Sequence, residues 1–329
     1  MFNVSRHLSA GLLVFMLSIS GSAQPAAKNP SAVRPAKIIL DTDIGDDIDD
    51  AFALALALRS PELNILGITT AWGDTKLRAR MVDRFLMETG HSEIPVAEGI
   101  ITKSAIPFTQ AKWAEAGPNG RSHQPAIDFI LQQIQKYPGE VTLVCIGPLT
   151  NVGAAIARDP DNFHRVKQVV LMGGSVRRGY GDLGYTAPHG PDPEYNIISD
   201  IPAAKALFGS GVPIAVMPVD STQLFFDEVK QQVLFRQSTP LSDALTLLYH
   251  QWGQQTPTLF DAMAVAYAVQ PSLCPTQTLH IVVDDKGYTR ETPGTGNAEV
   301  CLDSSSDRFF AFFMPRVLAP IAENPDLGK

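Results

Sequence analysis

Several things are scarce in this chain. It has three cysteines in 329 residues and no Cys-x-x-Cys or Cys/His cluster at metal-ligand spacing, which excludes a zinc site built on sulfur. Charged residues make up 18% of the chain and the formal charge is −8. The basic face that nucleic acid or an anionic membrane requires is therefore missing, while a small neutral substrate stays open. There is no internal repeat and no low-complexity tract beyond the leader. Past the N-terminus no apolar run is long enough to span a bilayer.

What is present begins with the leader. Arg6 and His7 precede the apolar run Gly11–Ile19, and Gly21-Ser22-Ala23 supplies small residues before Gln24. That order is expected of a secretory signal peptide over residues 1–23, and the run is too short to span a membrane comfortably. It implies an exported chain, periplasmic or secreted, with no membrane association after processing. Residues 24–36, rich in Ala and Pro, read as a flexible lead-in. Cys145, inside the apolar run Val141–Ile146, is expected to be a buried, inert thiol. Cys274 and Cys301 flank an expected hairpin, and an oxidising compartment would let them pair.

Hydrophobic residues are 45% of the chain, enough for a sizeable core. From Lys37 on, strand-like and helix-like segments alternate. Strands are expected at Lys37–Leu40, Leu63–Ala71, Ile94–Ala97, Val141–Ile146, Gln168–Met172 and Pro213–Val219. Helices are expected at Asp50–Arg59, Thr75–Thr89, Pro125–Tyr137, Thr150–Arg158 and Ala203–Phe208. Residues 227–270 turn helical, His280–Val283 and Glu299–Leu302 suggest a hairpin, and Arg308–Ile321 a closing helix. The pattern predicts an α/β fold, a doubly wound and mostly parallel sheet with helices on both faces, in one domain over residues 37–325. Such sheets bind ligands beyond the carboxyl ends of their strands. The long Gly-, Pro- and Tyr-rich loop Ser175–Glu194 is of a length usually functional or disordered.

One such strand end carries Asp41-Thr42-Asp43-Ile44-Gly45-Asp46-Asp47-Ile48-Asp49-Asp50, six carboxylates in ten residues. Acids this close repel one another unless a cation neutralises them or some are protonated. Hard oxygen ligands in that number suit Ca²⁺ or Mg²⁺. A solvated acidic turn with Asp49 as a helix cap accounts for one or two of the six. An EF-hand does not fit, because glycine falls at the fifth position and Phe52 at the twelfth. A phosphatase using Asp41 or Asp43 as nucleophile is weakened by the further acids Asp49 and Asp50.

This segment resembles the start of the inosine-uridine-type nucleoside hydrolases, through Asp41-Thr42-Asp43-Ile44-Gly45 and Asp49-Asp50-Ala51. Matches follow in order at Thr69–Asp74, Gly147-Pro148-Leu149-Thr150-Asn151, Val169–Gly174, Glu194-Tyr195-Asn196 and Asp261-Ala262, spanning residues 37–267. The resemblance implies a ribonucleoside hydrolase that uses Ca²⁺ to cut the N-glycosidic bond, acting on a small-molecule ribonucleoside and releasing ribose and a free base. It implies that Asp43, Asp50, Asp261 and the backbone carbonyl of Ile146 hold the ion, with Asp43 also deprotonating the attacking water. Asp49, Asp74, Met172, Glu194 and Asn196 would hold the ribose hydroxyls. The chemistry is coherent: breaking the bond builds positive charge on the sugar, which carboxylates stabilise, and a metal can chelate vicinal hydroxyls. Each motif also has a plainer reading. Gly147–Asn151 could be a turn capped by Thr150, Asp261 a helix cap, Glu194 and Asn196 ordinary loop polars.

Three departures stand out. The acidic loop is two residues longer than in the family's familiar form, with Asp46 and Asp47 as extras. Asp74 stands where many members have Asn. Phe260 occupies the position of a histidine that is the family's presumed proton donor to the leaving base. Replacement candidates are His123, His189, Tyr185, Tyr249, His250 and Trp252, with His189 and Trp252 as the leaving-group contacts to inspect first; Trp72 and Trp252 could also stack a base. Without a donor, a non-catalytic riboside-binding protein and a hydrolase of another riboside are the rival readings. Base preference and assembly into a homo-oligomer stay open.

Overall fold

Ile38, Ile39 and Leu40 are consecutive apolar residues, and a strand's period of two sends them to opposite faces. The computed structural model describes residues 1–2, 34–117, 121–183, 185, 187 and 189–319. In it Ile38 and Leu40 enter one core and Ile39 the other. The same split recurs in Leu143 and Val144, Val169 and Val170, and Ala215 and Val216, so both faces of the sheet are covered.

The strands are β1 (Ala36–Thr42), β2 (Leu63–Thr70), β3 (Val96–Glu98), β4 (Gln124–Pro125), β5 (Val141–Cys145), β6 (Gln168–Met172), β7 (Ile214–Met217), β8 (Gln277–Leu279), β9 (Ile281–Val283), β10 (Thr289–Glu291) and β11 (Ala298–Val300). Nine form one sheet in the order β4-β3-β2-β1-β5-β6-β7-β11-β8, parallel throughout except for β8 at the edge. The doubly wound α/β expectation holds. The chain builds outward from β1 to β4, then returns to lay β5 against the other flank of β1. The strand order therefore reverses between β1 and β5, and the crevice beyond their carboxyl ends is where such a sheet accepts a ligand.

Helix α1 (Asp49–Leu58) follows β1 directly and is buried on nearly every side, as its dense Ala and Leu require. Helix α2 (Thr75–Glu88) buries Met81, Phe85 and Leu86 on one face and keeps Lys76 and Met87 exposed. Among the described residues, no helix is long and apolar enough to cross a membrane. The described residues from Pro35 on form one compact unit; the expected signal peptide and most of the lead-in lie outside the described residues.

Two expectations need correction. Strand β1 runs two residues past Leu40, because Asp41 and Thr42 stay in register with Thr69 and Thr70 of β2. The expected antiparallel pairing of His280–Val283 with Glu299–Leu302 is displaced: the antiparallel partner of β11 is β8 (Gln277–Leu279). Instead β9 pairs with β10, since the Asp284 side chain accepts from the N–H groups of Lys286 and Tyr288 and closes a tight turn over Gly287, whose φ is +81°. That frees β11 to join β7 in parallel.

Cys274 and Cys301 are joined by a disulfide across 27 residues, and Cys145 is a buried free thiol. Closing a loop of that size stabilises by about 3 kcal/mol through the unfolded chain. Replacing both cysteines by alanine should lower the melting temperature by several degrees in calorimetry, and reductant should shift the wild type equally; unchanged melting in both would show that the bond adds nothing.

Candidate active site

The acidic loop does not present its six carboxylates as one set. Asp41 is fully buried inside the sheet, where it accepts from Thr69 Oγ1 and, at 2.8 Å, from Asn151 Nδ2. Burial pushes its carboxyl up to about 6 against those two hydrogen bonds, and its Oδ2 has no partner. Asn151 also donates to the Thr70 carbonyl and accepts from Ile100 N, so it ties β1, β2 and the following loop together. Gly147–Asn151 is thus more than a capped turn: the Thr150 side chain caps nothing.

The two extra acids have distinct fates. Asp46 pairs at 2.7 Å with Arg78 of α2, and both side chains are almost wholly buried. The same guanidinium donates to the carbonyls of Asp43, Ile44 and Trp72, so one arginine fixes the path of the loop. Asp47 accepts from the N–H of Ile48. From outside, Thr109 donates to the Asp46 carbonyl and Gln110 to that of Asp47, while the Phe108 ring lies against Arg78 and Gly45. Gly45 is required here, with φ +126° and a Cβ position only 2.0 Å from that ring.

Asp49 and Asp50 open α1, and Asp261 precedes the helix Ala262–Val269. Asp261 stands at the cap position yet caps no N–H, so the plain helix-cap reading fails. Instead carboxylate oxygens of Asp49, Asp50 and Asp261 lie within 4.8 Å of one another, all buried. Two carboxylates at that separation repel by about 3 kcal/mol at an effective dielectric of ~20. Burial, then the neighbouring acids, push all three carboxyls well above the ordinary range. Asp43 lines the same cavity; burial, offset in part by Arg78, pushes it up to about 7. Ile146 lines it too, and Gly147 must lack a side chain because a Cβ would sit 2.7 Å from Asp43 Oδ1. Converging buried oxygens with Arg78 as partial counter-charge fit a hard divalent cation. The geometry adds Asp49, expected on the ribose, to the carboxylates within reach of one ion.

The cavity has a volume of about 590 Å³. Met172 leaves the end of β6 to line it, and Glu194 and Asn196 reach it from the start of the helix Tyr195–Ser199. Glu194 is buried and accepts from the N–H groups of Gly174, Asn196 and Ile197. Burial raises its pKa while those three bonds oppose the rise. Asn196 donates to the Met172 carbonyl at 3.1 Å.

The sequence reading overlooked Tyr180. The loop that carries it is pinned by Asp220, which accepts from the N–H groups of Val176, Arg177 and Arg178, and by Asp192, which accepts from Tyr180 N. Tyr180 lines the cavity, its ring meets Phe260 edge to face at 5.8 Å, and its hydroxyl donates to Glu194 at 3.4 Å. Nothing in the local pattern distinguishes it from Tyr185, which is 90% exposed.

Other expected residues lie elsewhere. Asp74 is exposed and caps α2 by accepting from Leu77 N; the free N–H groups of that helix end claim it, and it is not among the cavity-lining residues. His189 points to Asp192 at 3.5 Å, is 62% exposed and does not line the cavity, because its loop folds back on Gly179. His123 is bound to Asp83, and the Tyr249 hydroxyl to the Gln255 carbonyl. Trp252 does line the cavity; Trp72 and His250 do not.

A mostly parallel sheet with buried acids at its switch point and aromatic rings in the wall of the same cavity defines a doubly wound α/β protein with an acidic ligand pocket. The model of the inosine-uridine preferring nucleoside hydrolase family matches residues 38–311. The chain belongs to that family of N-glycosyl hydrolases, as its motifs led one to expect. A non-specific ribonucleoside hydrolase of Salmonella paratyphi A is 32% identical over 272 residues, 78% of this chain and 86% of the relative. Uridine nucleosidase 1 of Arabidopsis thaliana is 36% identical over 202 residues, 56% of this chain, and the match spans 57% of that relative's length. Among solved structures, a plant nucleoside hydrolase aligns with TM-score 0.76 at 28% identity, over 87% of this chain and 100% of that one. The purine-preferring ribonucleoside hydrolase of Gardnerella vaginalis aligns with TM-score 0.74 at 26% identity, over 86% and 98%.

The raised carboxyls set a pH dependence. An acid whose folded pKa lies above its unfolded value favours the folded state at low pH, and that stability is lost as pH rises from the unfolded to the folded pKa. For Asp41 and Asp43 the window runs from 3.8 to about 6 and about 7. Metal-free protein should therefore melt higher at pH 5 than at pH 8, with the gap narrowing when a divalent cation is added; greater metal-free stability at pH 8 would contradict this charge balance.

Proposed function

We propose that the chain is a Ca²⁺-dependent ribonucleoside hydrolase, exported from the cytoplasm, that releases ribose and a free base. The observation carrying this reading is one cavity with convergent buried carboxylates at one end and the rings of Tyr180, Phe260 and Trp252 in its wall. The ion would be held by Asp43, Asp50, Asp261 and the Ile146 carbonyl, with Asp49 close by. When bound it would supply Lewis-acid activation of water and chelation of vicinal hydroxyls, which favours ribose over deoxyribose.

The protein's own groups do the rest. Asp43, which lines the cavity beside Asp49, Asp50 and Asp261, takes the proton of the attacking water. Arg78 keeps it in place through the Asp43 carbonyl. Glu194 and Asn196, which line the same cavity, would meet the sugar hydroxyls, and the surrounding carboxylates stabilise positive charge as the glycosidic bond lengthens. The relatives named above are uridine nucleosidases or ribonucleoside hydrolases, which supports the substrate class.

A second reading, a riboside-binding protein without turnover, is favoured by Phe260 and by the lack of a histidine among the cavity-lining residues. Ribose release across a panel of ribonucleosides separates the two. Wild type with calcium should turn over at least one, chelation should abolish it, and Asp43→Asn should lower kcat ~10²–10⁴-fold with the fold intact. Release from none, with calcium bound, would leave the binding reading. Export has its own check: the N-terminus of protein recovered from cells should begin near Gln24, and an intact Met1 in the cytoplasmic fraction would refute processing.

A further inference from the structure

Tyr195 stands between Glu194 and Asn196 at the start of the helix Tyr195–Ser199, and all three line the acidic cavity. Among the described residues, three hydroxyl-bearing side chains line that cavity: Thr109, Tyr180 and Tyr195. Thr109 donates to the Asp46 carbonyl at 2.7 Å, and Tyr180 to Glu194 at 3.4 Å. The Tyr195 hydroxyl is buried and has no hydrogen-bond partner. Ser104 lies near enough to favour its ionised form, but that serine's hydroxyl is engaged with the backbone of Ile106. A buried phenol normally finds an acceptor, because one left unmet forfeits the bond it made to water. An orphan hydroxyl on a cavity-lining residue therefore points to a bond that forms only with the ligand in place.

Breaking an N-glycosidic bond sends its electron pair into the base, which needs a proton as it leaves, and no histidine lines the cavity. We propose that Tyr195 is the proton donor to the departing base. This rests on the hydrolase reading and deepens it. As the C1′–N bond breaks, the phenolic proton moves to a ring nitrogen or carbonyl oxygen conjugated with the glycosidic nitrogen, so the base leaves neutral. The water oxygen bonds to C1′ and its proton passes to Asp43. Return of that proton through solvent from Asp43 to the phenolate restores both groups, so atoms and charge balance. Asp43, Asp46 and Arg78 all act electrostatically on the hydroxyl, which places it at the end of the cavity that holds the water-activating acid. Burial and then the charge of Asp43 push its pKa up to about 12, so it keeps its proton at neutral pH until the base draws it.

The experiment compares Tyr195→Phe with wild type, both calcium-loaded, on uridine, on inosine and on 4-nitrophenyl β-D-riboside, whose leaving group is a stable anion that needs no proton. The variant should lose about 100-fold or more in kcat on the nucleosides it cleaves, with KM changed by less than about threefold. Its turnover of the nitrophenyl riboside should stay within about threefold of wild type, a split that loss of ring packing would not produce. Because the hydroxyl has no partner, the substitution breaks no hydrogen bond, and the variant should melt no lower than wild type. Unchanged nucleoside turnover overturns the proposal, and so does an equal loss on the nitrophenyl riboside. A variant that melts lower or fails to fold shows the hydroxyl holding the structure together, and overturns it too. Each of these leaves the hydrolase reading standing, whereas no ribose from any of the three substrates with wild type sinks that reading itself.

Discussion

Carboxylates buried within a few ångströms of one another raise each other's free energy, and this fold gathers Asp43, Asp46, Asp49, Asp50 and Asp261 at one mouth of its sheet. The internal offset is Arg78, almost wholly buried, bonded to Asp46 and to the carbonyls of Asp43 and Ile44. Removing one partner of such a buried pair costs about 3–5 kcal/mol, because the other charge is left uncompensated. Arg78 therefore supports both the fold of the loop and the ionisation of the acids around it. One positive charge does not balance five negative ones, which is why the remaining carboxyls are pushed upward and why a divalent cation suits the site.

The sheet topology decides where that charge is put. Strand order reverses between β1 and β5, so no helix covers the crevice beyond their ends, and the acidic loop, Ile146 and Met172 all open onto it. Close backbone approach completes the arrangement: Gly147 passes under Asp43 with no room for a side chain. Asp41, identical in chemistry to its neighbours, faces into the sheet instead and serves as an anchor for Thr69 and Asn151. Strand β1 ends at Thr42, so the aspartate two residues after Asp41 has left the sheet and lines the cavity instead.

Across the cavity the longer-range contacts govern. The loop from Ser175 to Glu194 has no regular periodicity in sequence, and its residues Val176 and Gly181 are held by side chains far away in the chain, Asp220 and Gln223. Its tyrosine at position 180 consequently meets Phe260, a contact between residues 80 apart. That contact places an aromatic pair in the wall of the acidic cavity.

The sequence alone determined the alternating architecture, the acidic loop and the family, because strand and helix periodicities and an ordered run of motifs are local signals. It also supplied the candidates Asp43, Asp50, Asp261, Glu194 and Asn196, all of which line the cavity. Tertiary structure decided how the acids divide: Asp41 to the sheet, Asp46 to Arg78, Asp49 to the converging trio, Asp74 to a helix end. It also decided that Tyr180, and not His189, lines the cavity. A carboxylate or a tyrosine has the same chemistry wherever it occurs in the chain; its role is set by which donors and which solvent it meets after folding, and those partners come from strands and loops that sequence proximity does not reveal.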